Sequence, residues 1–217
     1  MPARGLIGMA FALLVVLAAL DGATRGFTAL TSDTARMLDV AQHPVNVAPL
    51  ILIDARGQSQ SLRDRQRSTI VDVIYTRCVT VCSELGGVFQ QLQSSIRKRG
   101  VSDRVRLLSV SFDPSWDTPE RLGRYASLMR MDTSIWTLAA PTDTIALATL
   151  LRTLGIRVIA DGRNGYVHNA ALHVVDATGR LAAILPVDAT DEAIDVALRH
   201  SAMRANERGE HPLTPPR

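Results

Sequence analysis

Cys78 and Cys82 are the only cysteines in a chain of 217 residues. They stand where a β-branched run, STIVDVIYT from Ser68 to Thr76, gives way to a helical pattern beginning near Glu84. Residues four apart share one face of a helix. With Cys78 in the connecting loop and Cys82 in the first turn, two sulfurs can converge on one point. A helix N-terminus carries unpaired N–H groups and partial positive charge, which favours thiolate over thiol. Thiolates are the nucleophiles of disulfide exchange and also the ligands of soft metals such as Cu(I), or of Zn. The pair therefore admits a metal site, a redox couple or an inert structural disulfide. Disulfide oxidoreductases use Cys-x-x-Cys; the additional residue here widens the bite and suits two sulfurs flanking an ion. A bridge this short would constrain the unfolded chain little, so the pair reads as chemical rather than structural.

Two sulfurs leave a metal ion short of ligands, which directs attention to the five histidines, His43, His168, His173, His200 and His211. His43 falls in a segment read as a tether, and His200 and His211 in or near the C-terminal tail; all three read as solvated. His168 and His173 lie in HNAALHVV. Their odd separation points them to opposite faces of a regular strand. His168 opens that strand after the turn-rich ADGRNGYV, whereas His173 reads as a packed histidine.

The elements that must position these residues follow from periodicity. Leu50 to Asp54, Ser68 to Thr76 and Val105 to Phe112 are apolar, strand-like runs, and the second is continuous enough to be buried on both faces. Leu85, Val88, Phe89, Leu92 and Ile96 recur at helical spacing, and Gly100 ends that helix. In Asp117-Thr-Pro-Glu, Thr118 is the expected N-cap and Pro119 the first helical residue of a helix to about Leu128. A short strand at Trp136 to Ala139 and a helix from Thr142 to Leu154 come next. A strand from Val167 to Asp176 then turns through Ala177-Thr-Gly-Arg into Leu181 to Pro186, and a helix spans Asp191 to His200. This order predicts an α/β sandwich with a central mixed sheet flanked by helices. A cysteine pair between a buried strand and the first long helix is the thioredoxin-like arrangement.

Residues 1–24 form a separate unit. Leu6 to Leu20 carry no charge, and Arg4 precedes them. The run is longer than most export-signal cores and slightly short of a full span. An uncleaved N-terminal membrane anchor is expected, with a cleaved signal as the alternative; either exports the remainder. Residues 25–47 are expected as the tether, 48–200 as the folded domain and 201–217 as a disordered tail. Hydrophobic residues make up 47% and charged residues 21% of the chain, which supports a real core. The net charge is only +3 and aromatics are 4%, without a basic cluster interleaved with aromatics. Nucleic-acid binding is excluded on that basis.

Three blocks, IYTRCVTVC, VSFDPSWDTPERLGRYA and YVHNAALHVVDATGRL, occur in this order over about residues 48–190. They resemble the Sco/SenC family of copper proteins, as does the N-terminal anchor. The resemblance implies a thioredoxin-like metallochaperone that binds Cu(I) or Cu(II) through two cysteines and a histidine, carried over by position to Cys78, Cys82 and His168. It implies copper as the bound metal, and subunit II of cytochrome c oxidase, with its binuclear copper centre, as the acceptor. Other copper chaperones are implied as exchange partners. Attachment to a bacterial inner membrane, with the domain in the periplasm, follows. The alternative activity is a tethered thiol–disulfide reductase that keeps an acceptor's cysteines reduced, with Cys78 and Cys82 as a redox-active disulfide. Val79 and Ser83 stand where the family usually has proline, and Val167 stands where it usually has Asp.

Overall fold

The computed structural model of the protein describes residues 3–24, 31–77 and 81–207. Within these, the side chains of 3–7, 10, 20, 23–24, 81–84 and 202–207 are not described. Cys78 therefore lies outside the described residues, and only the backbone of Cys82 lies within them.

Strands β1 (Val45–Asn46), β2 (Leu52–Asp54), β3 (Ser59–Gln60), β4 (Ser68–Ile74), β5 (Val105–Ser111), β6 (Trp136–Pro141), β9 (Leu172–Val175) and β10 (Arg180–Leu185) build one sheet. A separate ribbon pairs β7 (Val158–Ala160) with β8 (Tyr166–His168). The order in the large sheet is β1-β10-β9-β4-β5-β6-β2-β3. β4, β5 and β6 run parallel, and the remaining pairs are antiparallel, which makes the sheet mixed as expected. Helices α3 (Val81–Lys98), α4 (Pro119–Leu128), α5 (Thr144–Leu154) and α6 (Thr190–Glu207) flank it.

Alternation along the strands divides the apolar side chains between two cores. Ile70, Leu107, Leu172 and Val174 pack with Phe89, Leu92 and Ile96 of α3 and with Ile194 and Ala197 of α6. Val71, Val73, Leu108 and Val110 pack with Leu122 of α4 and Leu147, Leu150 and Leu154 of α5. Every residue of β4 and β5 is buried, as a strand covered on both faces requires.

The expected tether is partly built into the domain. Residues Ser32–Gln42 form helix α2, capped by the Thr31 side chain, and α2 packs on β10 with Val40 buried. β1 follows as an edge strand on β10. In sequence Thr34 to Val40 signals only a helical turn or two, because the helix has little apolar surface and Pro44 and Pro49 follow it. The last helix also continues beyond His200 to Glu207, into the segment expected to be disordered; residues 208–217 lie outside the described residues. His200 is accordingly a half-buried residue of α6 rather than a solvated tail residue. At the other end, α1 (Ala3–Thr24) carries the apolar run, with Met9, Phe11 and Leu14 exposed. Among the described residues no helix is long and apolar enough to cross a membrane.

Two titratable groups lie in the cores with opposite consequences. The Asp72 carboxyl faces the α3–α6 side beside Ser109, whose hydroxyl also accepts the Trp136 indole N–H at 2.9 Å. One carboxyl oxygen has no partner among the described residues. Burial raises the Asp72 pKa from 3.8 to about 7, against the lowering effect of the Ser109 hydrogen bond. On the other side His173 is fully buried between the Val71 and Leu154 carbonyls, and burial lowers its pKa from 6.5 to about 4. Folding holds the Asp72 proton where the unfolded chain releases it, so that contribution to stability falls as pH rises from about 4 to about 7. His173 acts in the opposite sense between about 4 and 6.5, because only the unfolded chain protonates it. Replacing Asp72→Asn should leave the His173 dependence uncompensated. Relative to the wild type, the variant should gain stability between pH 4 and 7, by about 4 kcal/mol at most. Denaturant unfolding at several pH values measures this, and parallel pH profiles for the two proteins would contradict it.

Candidate functional site

The site is built where β4 leaves the sheet. β4 ends at Ile74, and the next three residues, Tyr75, Thr76 and Arg77, lead directly to Cys78. Each of the three is held separately. The Thr76 backbone N–H and hydroxyl both donate to the Asp117 carboxylate, the N–H at 3.1 Å to Oδ2. The Ser111 hydroxyl donates to the same carboxylate. Arg77 donates from Nε at 3.1 Å and Nη2 at 2.6 Å to Asp113 Oδ2, and this pairing raises its pKa. Both acids are buried. Their positions follow from the end of β5: Asp113 turns back onto Ser111, and Asp117 sits just before the N-cap Thr118 of α4. Their carboxylates grip the residues that precede the cysteines. Their local positions, a turn after β5 and the start of α4, say nothing of this.

Tyr75 reaches sideways to the ribbon. Its hydroxyl donates to the Tyr166 carbonyl and accepts the Tyr166 N–H, both at 3.1 Å. The ring packs on Phe112 at 5.0 Å and on Tyr166 at 5.4 Å. Tyr166 opens β8, and His168 closes it. The imidazole therefore lies in an aromatic corner, 5.1 Å from the Phe112 ring and 6.3 Å from the Tyr75 ring, centre to centre. His168 is thus adjacent to a residue three positions before Cys78, a juxtaposition that no periodicity in the sequence could supply.

The segment expected as one strand from Val167 to Asp176 is broken. β8 and β9 are separated by Asn169, Ala170 and Ala171, and β8 pairs with β7 instead of joining the main sheet. The cause is Asn169, whose side chain accepts the Arg157 N–H at 2.7 Å and donates to the Gly155 carbonyl at 3.0 Å. Those bonds tie the chain to the end of α5, where Gly155 adopts a left-handed conformation, φ 75°. The two histidines consequently have different environments: His173 is locked between carbonyls, and His168 is directed into the corner beside the β4 exit.

The hydrogen bonding of His168 fixes its tautomer. Nδ1 lies 3.0 Å from the Asn169 carbonyl oxygen, which can only accept, so Nδ1 carries the proton. Nε2 is then a lone-pair donor. It is buried and has no hydrogen-bond partner among the described residues. Burial lowers the His168 pKa and so favours the neutral ring. An orphaned, buried, neutral imidazole nitrogen fits a metal ligand, since a coordinating histidine ordinarily has its other nitrogen fixed by a carbonyl or carboxylate. Val167 points outward and is exposed; the Asn169 carbonyl supplies the orienting partner that the missing Asp would otherwise suggest. Among the described residues, no group of three His, Cys, Asp or Glu side chains is placed to hold a metal ion.

Removing the Tyr75 hydroxyl should release this corner. Tyr75→Phe should cost about 1–3 kcal/mol and accelerate amide hydrogen exchange at Tyr166–His168. Unchanged exchange there would show that the ribbon is held by its other contacts.

The SCO1/SenC family model matches residues 39–202. The SCO1 protein homolog of Bacillus subtilis (strain 168) is 23% identical over 143 residues, covering 64% of this chain and 73% of that protein. Two solved structures share the fold. The first, BsSco, is described as having a disulfide switch and as a member of the Sco family of cytochrome c oxidase assembly proteins. It aligns with a TM-score of 0.65 at 19% identity, over 74% of this chain and 96% of its own. The second, Bradyrhizobium japonicum ScoI with copper bound, aligns with a TM-score of 0.55 at 20% identity, over 72% of this chain and 99% of its own. The central mixed sheet flanked by helices is thus the thioredoxin-like fold of the Sco proteins. With the family match spanning most of the sequence, this chain belongs to the SCO1/SenC family.

Proposed function

We propose that the protein is a copper metallochaperone in which Cys78, Cys82 and His168 hold the ion as cargo for assembly of the binuclear copper centre of cytochrome c oxidase. The observation that carries this reading is the buried, unpartnered Nε2 of His168 beside the strand that delivers Cys78. Two thiolates and one imidazole combine soft and borderline donors, a set that accommodates both Cu(I) and Cu(II). Cys82 is the second residue of α3, so the helix N-terminus favours its thiolate. A three-ligand set leaves room for an acceptor's ligands to attack. Subunit II is the acceptor this reading names.

The second reading is a thiol–disulfide reductase. It draws support from the same thioredoxin-like placement of the cysteines and from the disulfide switch described for BsSco. In that reaction the Cys78–Cys82 dithiol gives two electrons and two protons to an acceptor disulfide. The acceptor emerges as two thiols, and Cys78 and Cys82 as a disulfide, which cannot bind the ion. Redox state would then gate copper loading. The uncharged run in α1, with its exposed apolar side chains, supports an N-terminal anchor that holds the domain at the periplasmic face of the inner membrane.

Copper titration of the purified, reduced full chain tests the assignment. His168→Ala should weaken copper binding by at least about tenfold, and Cys78→Ala should abolish tight binding. Wild-type affinity in His168→Ala would remove that ligand. A wild-type chain that takes no copper but reduces a disulfide substrate would establish the reductase in its place.

A further inference from the structure

Beside the exit of β4 lies an open groove of about 290 Å³. We infer that it is a docking site for an acidic segment of a protein partner, one that presents carboxylates next to an apolar side chain. The inference rests on the metallochaperone reading and names the chemistry of the partner that receives the ion.

Thr76, Arg77, Trp116, Arg121, Arg124 and Leu128 are among the residues that line the groove. Trp116 is 38% exposed and Leu128 72% exposed, which is costly for two large apolar side chains on one face. The indole is held as a platform. The Arg121 guanidinium lies 3.7 Å from its ring centre and that of Arg77 lies 4.7 Å away. Arg121 also donates to the Trp116 carbonyl at 2.8 Å, which fixes its stem.

The charges are arranged asymmetrically. Asp113 and Asp117 are buried behind the groove, where Arg77 and the Thr76 and Ser111 donors occupy them. Glu120 meets Arg124 at 3.4 Å on the rim, with both side chains mostly exposed, a pair that contributes little in water. The guanidiniums of Arg121 and Arg124 therefore line the open groove with an indole and a leucine, while that of Arg77 is paired with Asp113 behind them. Arginine and tryptophan in this setting are the residues that dominate protein interfaces, and guanidinium forks match carboxylates bidentately. An anionic membrane would also attract arginine, but guanidinium forks beside a clamped indole match carboxylates next to an apolar side chain. Thr76 and Arg77 immediately precede Cys78. A segment seated here would bring its protein alongside the cysteine loop.

Fluorescence anisotropy of a labelled peptide, Glu-Asp-Phe-Glu-Asp, against the purified full chain tests the inference, with Lys-Lys-Phe-Lys-Lys as the control. The acidic peptide should bind, more weakly at high salt. Trp116→Ala and Arg121→Glu should each weaken it about tenfold or more, while Trp116→Phe retains most of the binding and all three variants load copper like the wild type. Equal binding by wild type and variants, or by the basic peptide, would overturn the docking site. Displacement of the chain onto phosphatidylserine vesicles that depends on Trp116, without peptide binding, would assign the groove to a membrane and likewise overturn it. Trp116-dependent peptide binding in a chain that takes no copper would sink the metallochaperone reading and leave the groove standing.

Discussion

The carboxylate of Asp117 receives the backbone N–H and the hydroxyl of Thr76, and the geometry of the site depends on that contact. β4 is a buried central strand, and at its end the backbone must leave the ladder with its polar groups satisfied. Asp117 supplies the first acceptor beyond the ladder, and the Ser111 hydroxyl ties the same carboxylate to the end of β5. The chain entering the cysteine loop is therefore braced against the neighbouring strand. Arg77 and Asp113 repeat the arrangement one residue on, so the two positions before Cys78 are held by two acids from one turn.

From this brace the third ligand candidate is positioned by a lateral contact. The Tyr75 hydroxyl acts as donor and acceptor toward a single peptide unit of β8, much as a ladder partner would. It joins the small ribbon to the large sheet at a point where no strand pairing does so. The aromatic corner of Tyr75, Phe112 and Tyr166 then excludes water from one side of His168. Desolvation favours the neutral ring, and the Asn169 carbonyl selects the tautomer. A neutral, oriented imidazole with an unpartnered Nε2 thus comes from packing and one backbone acceptor, with no carboxylate bonded to the ring among the described residues.

Much of this was legible in the sequence, for identifiable reasons. The central strands are rich in β-branched and apolar residues and buried throughout because both of their faces are covered, and helix α3 shows a clean 3.6-residue period because only one of its faces is buried. The Cys-x-x-x-Cys pair marked the junction between them. What the sequence concealed were contacts between residues distant along the chain. Asn169 breaks a segment that alternates like a strand, because its amide finds partners at Arg157 and Gly155. Asp113 and Asp117 lie about forty residues from Thr76 and Arg77, so no local pattern signals their reach. Helix α2 folds against β10 although its own composition is polar, because that sheet face would otherwise be open.

The departures from the family pattern gain a physical meaning from the same contacts. A proline after a cysteine restricts the loop by fixing one backbone dihedral and the residue before it. Val79 and Ser83 impose no such restriction. The constraint on this chain instead lies just upstream, in side-chain hydrogen bonds at Thr76 and Arg77 and in the Tyr75 clamp. Proline acts largely by limiting the unfolded ensemble, whereas a hydrogen bond acts only in the folded state. The residues that lead to Cys78 are therefore fixed by contacts that exist only in the folded state.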